Sequence, residues 1–207
     1  RIVGQDAPSV KRRRNPAPPF TTSTLQQEAA RKLGFTARRT MQNAQRLYEA
    51  GFITYMRTDS VSLSNEAVQE IRRTVVDQYG ERSLSEQVNV YRTKSKNAQE
   101  AHEAIRPTSA ARNLEAAGRE IEDADQRRLY GLIWQRTMAC QMAPAVYDTV
   151  TVDLMPAAVV GADGTAPARD RHRLRASGST LLSPGFLAVY HEDRDEDDAN
   201  DDDQELR

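Results

Sequence analysis

The chain holds 207 residues with 29 basic and 30 acidic side chains, enough length for one large or two small domains with a buried core. Its mean hydropathy is −0.73, and no apolar run approaches the roughly 18 residues of a membrane span, which excludes an integral helical membrane protein. The net charge of −1 conceals an asymmetry: the stretch from Glu192 to Arg207 carries −8 and the remainder +7. A basic body points to a polyanionic partner, nucleic acid first, against the plainer alternative of a solvated surface.

Residues 1–19 contain Lys11-Arg12-Arg13-Arg14 and then Pro16, Pro18 and Pro19, and read as a basic linker. Helical signals begin at Ser23-Thr24, where Thr24 and Gln27 make a capping box. Leu25, Ala29 and Leu33 line one face, and Gly34 stops it. Thr36 caps a second helix with Ala37, Met41, Ala44, Leu47 and Tyr48 inward, ended by Gly51. Phe52-Ile53-Thr54-Tyr55-Met56 is β-branched and aromatic and reads as a short strand. Two helices, a tight turn and a strand give a winged-helix-like (helix-turn-helix plus strand) outline.

Ser64 caps a third helix through Val68, Ile71, Val75 and Tyr79 to Gly80. A short helix is expected around Ala98–Ile105, stopped by Pro107. Glu122 to Met142 reads as a long core helix that Pro144 ends. Beyond it the texture turns to period two. Val146, Val150, Val152 and Leu154 alternate with polar neighbours, Arg171, Arg173 and Arg175 give a second strand with a basic face, and Phe186–Tyr190 a third. Three strands are too few for a stable domain, so they read as part of a sheet completed by strands elsewhere in a longer chain. The fold class is thus mainly α with a β portion. Its parts are a linker (1–19), a helical domain (20–143), strands (144–190) and a disordered acidic tail (191–207).

The chemistry lies in Gly51-Phe52-Ile53-Thr54-Tyr55-Met56-Arg57-Thr58-Asp59-Ser60. In an extended segment Tyr55 and Arg57 leave the same side of the backbone. A phenol is a weak nucleophile near neutral pH, and a neighbouring guanidinium favours its ionised form while holding a phosphate by two parallel hydrogen bonds. The pair suits transfer of a phosphoryl group to tyrosine, although Tyr-x-Arg by itself is common and a strand tyrosine is usually packing. A phosphate-cradling GxxxxGK loop is missing from the sequence.

The run Leu47-Tyr48-Glu49-Ala50-Gly51 through Ser60 closely resembles the active-site tyrosine motif of the bacterial type IA DNA topoisomerases. A second run, Gln99-Glu100-Ala101-His102-Glu103-Ala104-Ile105-Arg106-Pro107-Thr108, is similar to another signature of that family at the family's spacing. Pro19-Phe20, Ser23–Gln27, Leu132–Trp134 and Ala139–Met142 extend the resemblance from about Pro19 to Tyr190. It implies that Tyr55 attacks a backbone phosphate of single-stranded DNA and retains the 5′ end. It implies further that Arg57 contacts the scissile phosphate, that His102 binds phosphate nearby, and that Asp59 sits at an acidic position beside the arginine. Glu103 and Arg106 fall in the second motif, with a structural or a DNA-backbone role. The implied fold is the tyrosine-bearing helical domain followed by strands of the arch. The implied activity is ATP-independent relaxation of negative supercoils by a monomeric cytoplasmic, nucleoid-associated enzyme. Mg²⁺ is held in that family by acidic residues of an N-terminal domain with no counterpart in this sequence. The isolated chain, which begins at Arg1 and reads as part of a longer one, is therefore expected to be inactive.

Other motifs carry less. His102-Glu103 begins like a zinc-protease motif, but Arg106 stands where the second histidine would be needed. Asp193-Arg194-Asp195 resembles a metal-binding Asp-x-Asp, yet the acids continue without pattern, as in a solvated tail. The lone Cys140 cannot close an internal disulfide, fits a reducing cytoplasm, and reads as a buried thiol. A basic-then-apolar leader is missing, so nothing argues for secretion. The rival reading, from another class, is a helix-turn-helix DNA-binding regulator without catalysis.

Overall fold

A computed structural model describes residues 9–92, 103–154, 174–191 and 204–205. The chain divides into two compact units, one of residues 1–14, 145–184 and 195–207, the other of residues 15–144 and 185–194. The first is a small antiparallel sheet and the second is helical. Among the described residues no helix is long and apolar enough to cross a membrane.

The sheet is built from β1 (Ser9–Arg14), β2 (Ala145–Leu154), β3 (Leu174–Ser183) and β4 (Gln204–Glu205), in the order β3-β2-β1-β4. β2 is the central strand expected from its alternation. Thr149 and Ser179 hydroxyls meet across β2 and β3 at 2.9 Å, and Arg175 forks onto Asp153 at 2.8 and 3.1 Å. Here two expectations give way. The basic stretch 1–19 is not linker throughout, because Ser9–Arg14 pairs with Val150–Ala145 of β2. The sheet is therefore supplemented from within this chain. A strand whose partner lies some 130 residues away leaves no mark in its own composition, since pairing outweighs intrinsic preference. Within the tail expected to be disordered, Gln204 and Glu205 pair with Arg13 and Arg12 along the edge of β1. An edge strand offers unpaired backbone groups to whatever extended segment reaches it. The expected small-residue loop at 156–167, Arg171, Arg173 and residues 192–203 lie outside the described residues.

The helical unit contains α1 (Thr22–Leu33), α2 (Ala37–Glu49), α3 (Asn65–Tyr79), α4 (Leu114–Glu120) and α5 (Ala124–Ala139). Every start is capped by a side chain: Thr21, Thr36, Ser64, Asn113 and Asp123 each accept a backbone N–H two or three residues inside the helix. The α1 box is Thr21 with Thr24, three residues earlier than the expected Thr24–Gln27 pair. α5 is the core. Leu129, Tyr130, Leu132, Ile133, Trp134, Thr137, Met138 and Ala139 are buried around it, which explains why its apolar residues cover more than one face. Trp134 donates its indole N–H to Ala110 O at 3.0 Å. Cys140 is fully buried, and burial pushes its thiol up to about 12, the state of an inert packing group.

Three local expectations change. The strand at Phe52–Met56 is a single bridge, Ile53 to Pro107, so the winged-helix outline keeps its two helices and three-residue turn but not a paired strand. Ile105 is extended and bridges Phe20 instead of ending a helix, while residues 98–102 lie outside the described residues. Phe186–Tyr190 is not a strand. Gly185–Ala188 is a 3₁₀ turn that buries Phe186 and Leu187, and the Phe186 N–H bonds to Ala143 O at 2.9 Å. Gly185 permits it: φ is +49°, and a β-carbon there would lie 2.3 Å from Pro144 O.

That turn is fastened to α1 by buried groups. Tyr190 donates its hydroxyl to Glu28 at 2.5 Å, and Lys32 lies 4.0 Å from the centre of its ring. Tyr190→Phe should therefore lower the stability of the chain by about 1–3 kcal/mol, because a buried carboxylate loses a hydrogen-bond donor that its ion pairs with Arg31 and Lys32, both at 3.6 Å, do not replace. Urea melts followed by circular dichroism check this through a reduced midpoint at unchanged slope.

Candidate active site

α2 ends at Glu49, and Gly51, at φ +76°, turns the chain into the segment 52–62. Among the described residues no strand runs beside this segment, which bends at Phe52, Thr54 and Met56, yet its exposure alternates from Tyr55 to Ser60. Ile53, Met56, Thr58 and Ser60 are buried, while Tyr55, Arg57 and Asp59 are exposed. The alternation puts the tyrosine, the arginine and the aspartate together on the exposed side.

Its backbone groups are satisfied by three other devices. The first is the second motif. Thr54 N–H donates to Arg106 O at 2.9 Å, Thr54 Oγ1 donates to Ala104 O at 2.7 Å and accepts the Arg106 N–H at 2.9 Å. Thr108 N–H reaches Phe52 O at 3.0 Å and its hydroxyl reaches Gly51 O at 2.7 Å. The second device is Thr22, the first residue of α1. Its N–H donates to Thr58 O at 2.9 Å, and its hydroxyl donates to Met56 O at 2.8 Å and accepts the Thr58 N–H at 2.9 Å. The third is a ladder of hydroxyls. Thr58 Oγ1 accepts from Ser60 N at 3.0 Å, Ser60 Oγ from Ser62 N at 3.1 Å, and Ser64 Oγ caps α3 at Ala67 N.

Tyr55 is 44% exposed, and its ring meets that of Tyr48 edge-on with centroids 5.3 Å apart. Its hydroxyl, the Arg57 guanidinium and the Asp59 carboxylate have no hydrogen-bond or ion-pair partner among the described residues. Arg106 is different. Its Nε and Nη2 fork onto the Glu103 carboxylate at 2.9 Å each, and Nη1 donates to Pro107 O at 2.8 Å. The structure thus brings Tyr55, Arg57 and Asp59 to one outward edge and commits Arg106 to Glu103. His102 lies outside the described residues.

Glu103 also accepts the Ser64 N–H at 2.9 Å, so one carboxylate joins the second motif to the start of α3. Burial alone would push this carboxyl up. The Arg106 hydrogen bond, the Ser64 N–H and the Arg106 charge together outweigh it and hold the group below the usual carboxylate range. Sequence reasoning placed Glu103 in the motif but missed this double duty. It also missed Thr22, whose hydroxyl-rich neighbourhood Thr21–Thr24 reads only as a helix cap.

A carboxyl held low in the folded state stabilises the fold above its unfolded pKa, about 4.3, and that contribution disappears as pH falls through the folded value. The stability advantage of the native chain over Glu103→Gln should accordingly be largest near neutrality and shrink below about pH 4. Denaturant melts of both proteins across that range measure it. A gap that widens on acidification would contradict the assignment.

Comparisons with known proteins identify the family. Residues 5–206 match a family model described as DNA topoisomerase. The chain is 50% identical over 208 residues to DNA topoisomerase 1 of Xylella fastidiosa (strain Temecula1 / ATCC 700964), covering 96% of this chain and 24% of the relative. It is 50% identical over 188 residues to DNA topoisomerase 1 of Zymomonas mobilis, covering 91% and 14%. Full-length topoisomerase I from Thermotoga maritima superposes with a TM-score of 0.71 at 34% identity, covering 92% of this chain and 29% of that structure. The chain thus spans about a quarter or less of the curated relatives' length. With its tyrosine segment, its second motif and nearly its whole length accounted for in this way, the chain belongs to the DNA topoisomerase family of type IA enzymes.

Proposed function

We propose that this chain supplies the nucleophile of an enzyme that relaxes negatively supercoiled DNA by cutting and resealing one strand. The observation that carries the reading is the edge at 55–59, where a phenol, a guanidinium and a carboxylate stand outward on a backbone fixed from behind. Tyr55 Oη attacks a backbone phosphorus of single-stranded DNA and gives up its proton. The bond from phosphorus to O3′ breaks, the 3′ oxygen leaves with the electron pair and is protonated, and the 5′ end remains as a phosphotyrosine. After a strand passes through the gap, the 3′-hydroxyl attacks the phosphotyrosine, and the phosphodiester and the phenol are restored. One ester replaces another in each direction, so no nucleotide is consumed.

Arg57 holds the non-bridging oxygens and stabilises the charge that grows on the pentavalent phosphorus. Asp59 flanks Arg57 on the same edge, and His102 binds phosphate on the strength of the motif. Arg106, already forked onto Glu103, serves the backbone of the site. The helical unit is the tyrosine-bearing domain and the sheet unit belongs to the arch. The enzyme acts as a monomer on DNA in the bacterial cytoplasm, at the nucleoid. The Mg²⁺ implied by the resemblance does not fit the residues at hand: among the described residues no three His, Cys, Asp or Glu side chains form a cluster for it. Tyr55 and Arg57 are the groups that this chain brings to the phosphate.

The test uses end-labelled single-stranded DNA with Mg²⁺, followed by denaturation and detection of labelled protein. A full-length enzyme carrying this segment should form the adduct, Tyr55→Phe should form none, and the 207-residue chain alone should form none. Arg57→Ala should lower cleavage by on the order of 10²-fold at all sites alike. An adduct on Tyr55→Phe would overturn the nucleophile. An arginine variant that merely changes which sequence is cut would overturn the phosphate assignment.

A further inference from the structure

We infer that Thr22 is a positioning residue for cleavage, setting the Tyr55–Arg57 edge through a side-chain hydroxyl that takes the place of a neighbouring strand. The inference rests on Tyr55 being the nucleophile. An isolated extended segment has no ladder to hold it, and the two peptide groups that flank Arg57 would otherwise be free to rotate. Thr22 fixes both through its hydroxyl, which donates to Met56 O at 2.8 Å and accepts from Thr58 N at 2.9 Å, and its N–H holds the next peptide by a bond to Thr58 O at 2.9 Å. Thr54 is fixed on the other side of Tyr55 by Ala104 and Arg106. The nucleophile therefore sits at the middle of a span pinned at 54 and at 56–58, with no bond of its own to the phenol.

Two further observations separate this role from simple helix capping. The capping of α1 is done by Thr21, whose hydroxyl accepts the Thr24 N–H, so Thr22 is released from that duty. Thr22 is also the first residue of a helix anchored by the buried Leu25, Glu28 and Ala29, which makes its hydroxyl a rigid reference point. A group held this way loses reach when its support slackens. A displacement of about 1 Å in a reacting group lowers rate by on the order of 10²-fold.

The test compares Thr22→Val, which keeps the shape and loses the hydroxyl, with Thr22→Ser, which keeps it, in a full-length enzyme carrying this segment. Single-turnover cleavage of end-labelled single-stranded DNA, DNA affinity by anisotropy, and thermal melting are measured on each. The expected result is a fall of about 10- to 100-fold in the cleavage rate for Thr22→Val. Its DNA affinity should stay within about 2-fold, and Thr22→Ser should recover most of the rate. Wild-type cleavage by Thr22→Val would overturn the inference. So would a lower melting temperature with full activity per folded molecule at the assay temperature, or an equal loss in the serine variant. Tyr55→Phe run alongside separates the two claims. If it is inactive while Thr22→Val cleaves normally, only the positioning role fails. If it still forms the adduct, the nucleophile assignment fails and takes the positioning role with it.

Discussion

A peptide N–H or C=O without a partner away from water costs as much as a lost hydrogen bond, and the tyrosine segment meets that constraint without a sheet. Everything around it follows from the substitutes it uses. The turn of the second motif lies against residues 51–54, the start of α1 lies against 56–58, and every second residue from 58 to 64 carries a hydroxyl. A paired strand would also have met the demand. It would have placed another chain alongside Tyr55 and Arg57. Satisfying the segment from behind leaves its outward edge open.

The supports depend in turn on α5. Arg136 is buried, yet its guanidinium donates to Pro18 O at 2.7 Å and lies 5.1 and 5.2 Å from the ring centres of Phe20 and Tyr190. A buried cation is tolerable here because a carbonyl accepts from its Nε and two aromatic rings lie against it. It fixes the residues just before α1, and so the position from which Thr22 reaches the tyrosine segment. Phe20 continues the link, since Ile105 N–H bonds to Phe20 O at 2.8 Å and carries the second motif. The site is thus a local extension of the helical core.

Much of this was legible in the sequence, for reasons that are local. Thr36 and Ser64 announce their helices because a cap is a contact between residues three apart. The outward grouping of Tyr55, Arg57 and Asp59 follows from period two alone. The alternation Thr58, Ser60, Ser62, Ser64 was equally visible but carried no signal, because hydroxyls are common in loops and their acceptors are invisible in one dimension. What escaped was non-local. β1 acquires its structure from β2, the Phe52–Met56 run loses its strand for want of a partner, and Gly185 sets a turn where alternation suggested a third strand. In each case pairing or packing over long separations overrode the local preference.

The contrast between two arginines shows what spacing alone leaves undecided. Arg57 and Arg106 both lie in family motifs and both have the fork geometry that recognises phosphate. Arg106 has a carboxylate three residues back in the chain, and the two meet at 2.9 Å. Its charge is neutralised and its donors are turned toward Glu103 and Pro107. Arg57 has Asp59 two residues on, both exposed, but the two close no bond among the described residues. An arginine already forked onto a carboxylate would have to break that pair to hold a phosphate, losing about as much as it gained. Among the described residues Arg106 is thus tied to Glu103 while Arg57 is tied to no carboxylate, a difference that motif spacing alone does not reveal.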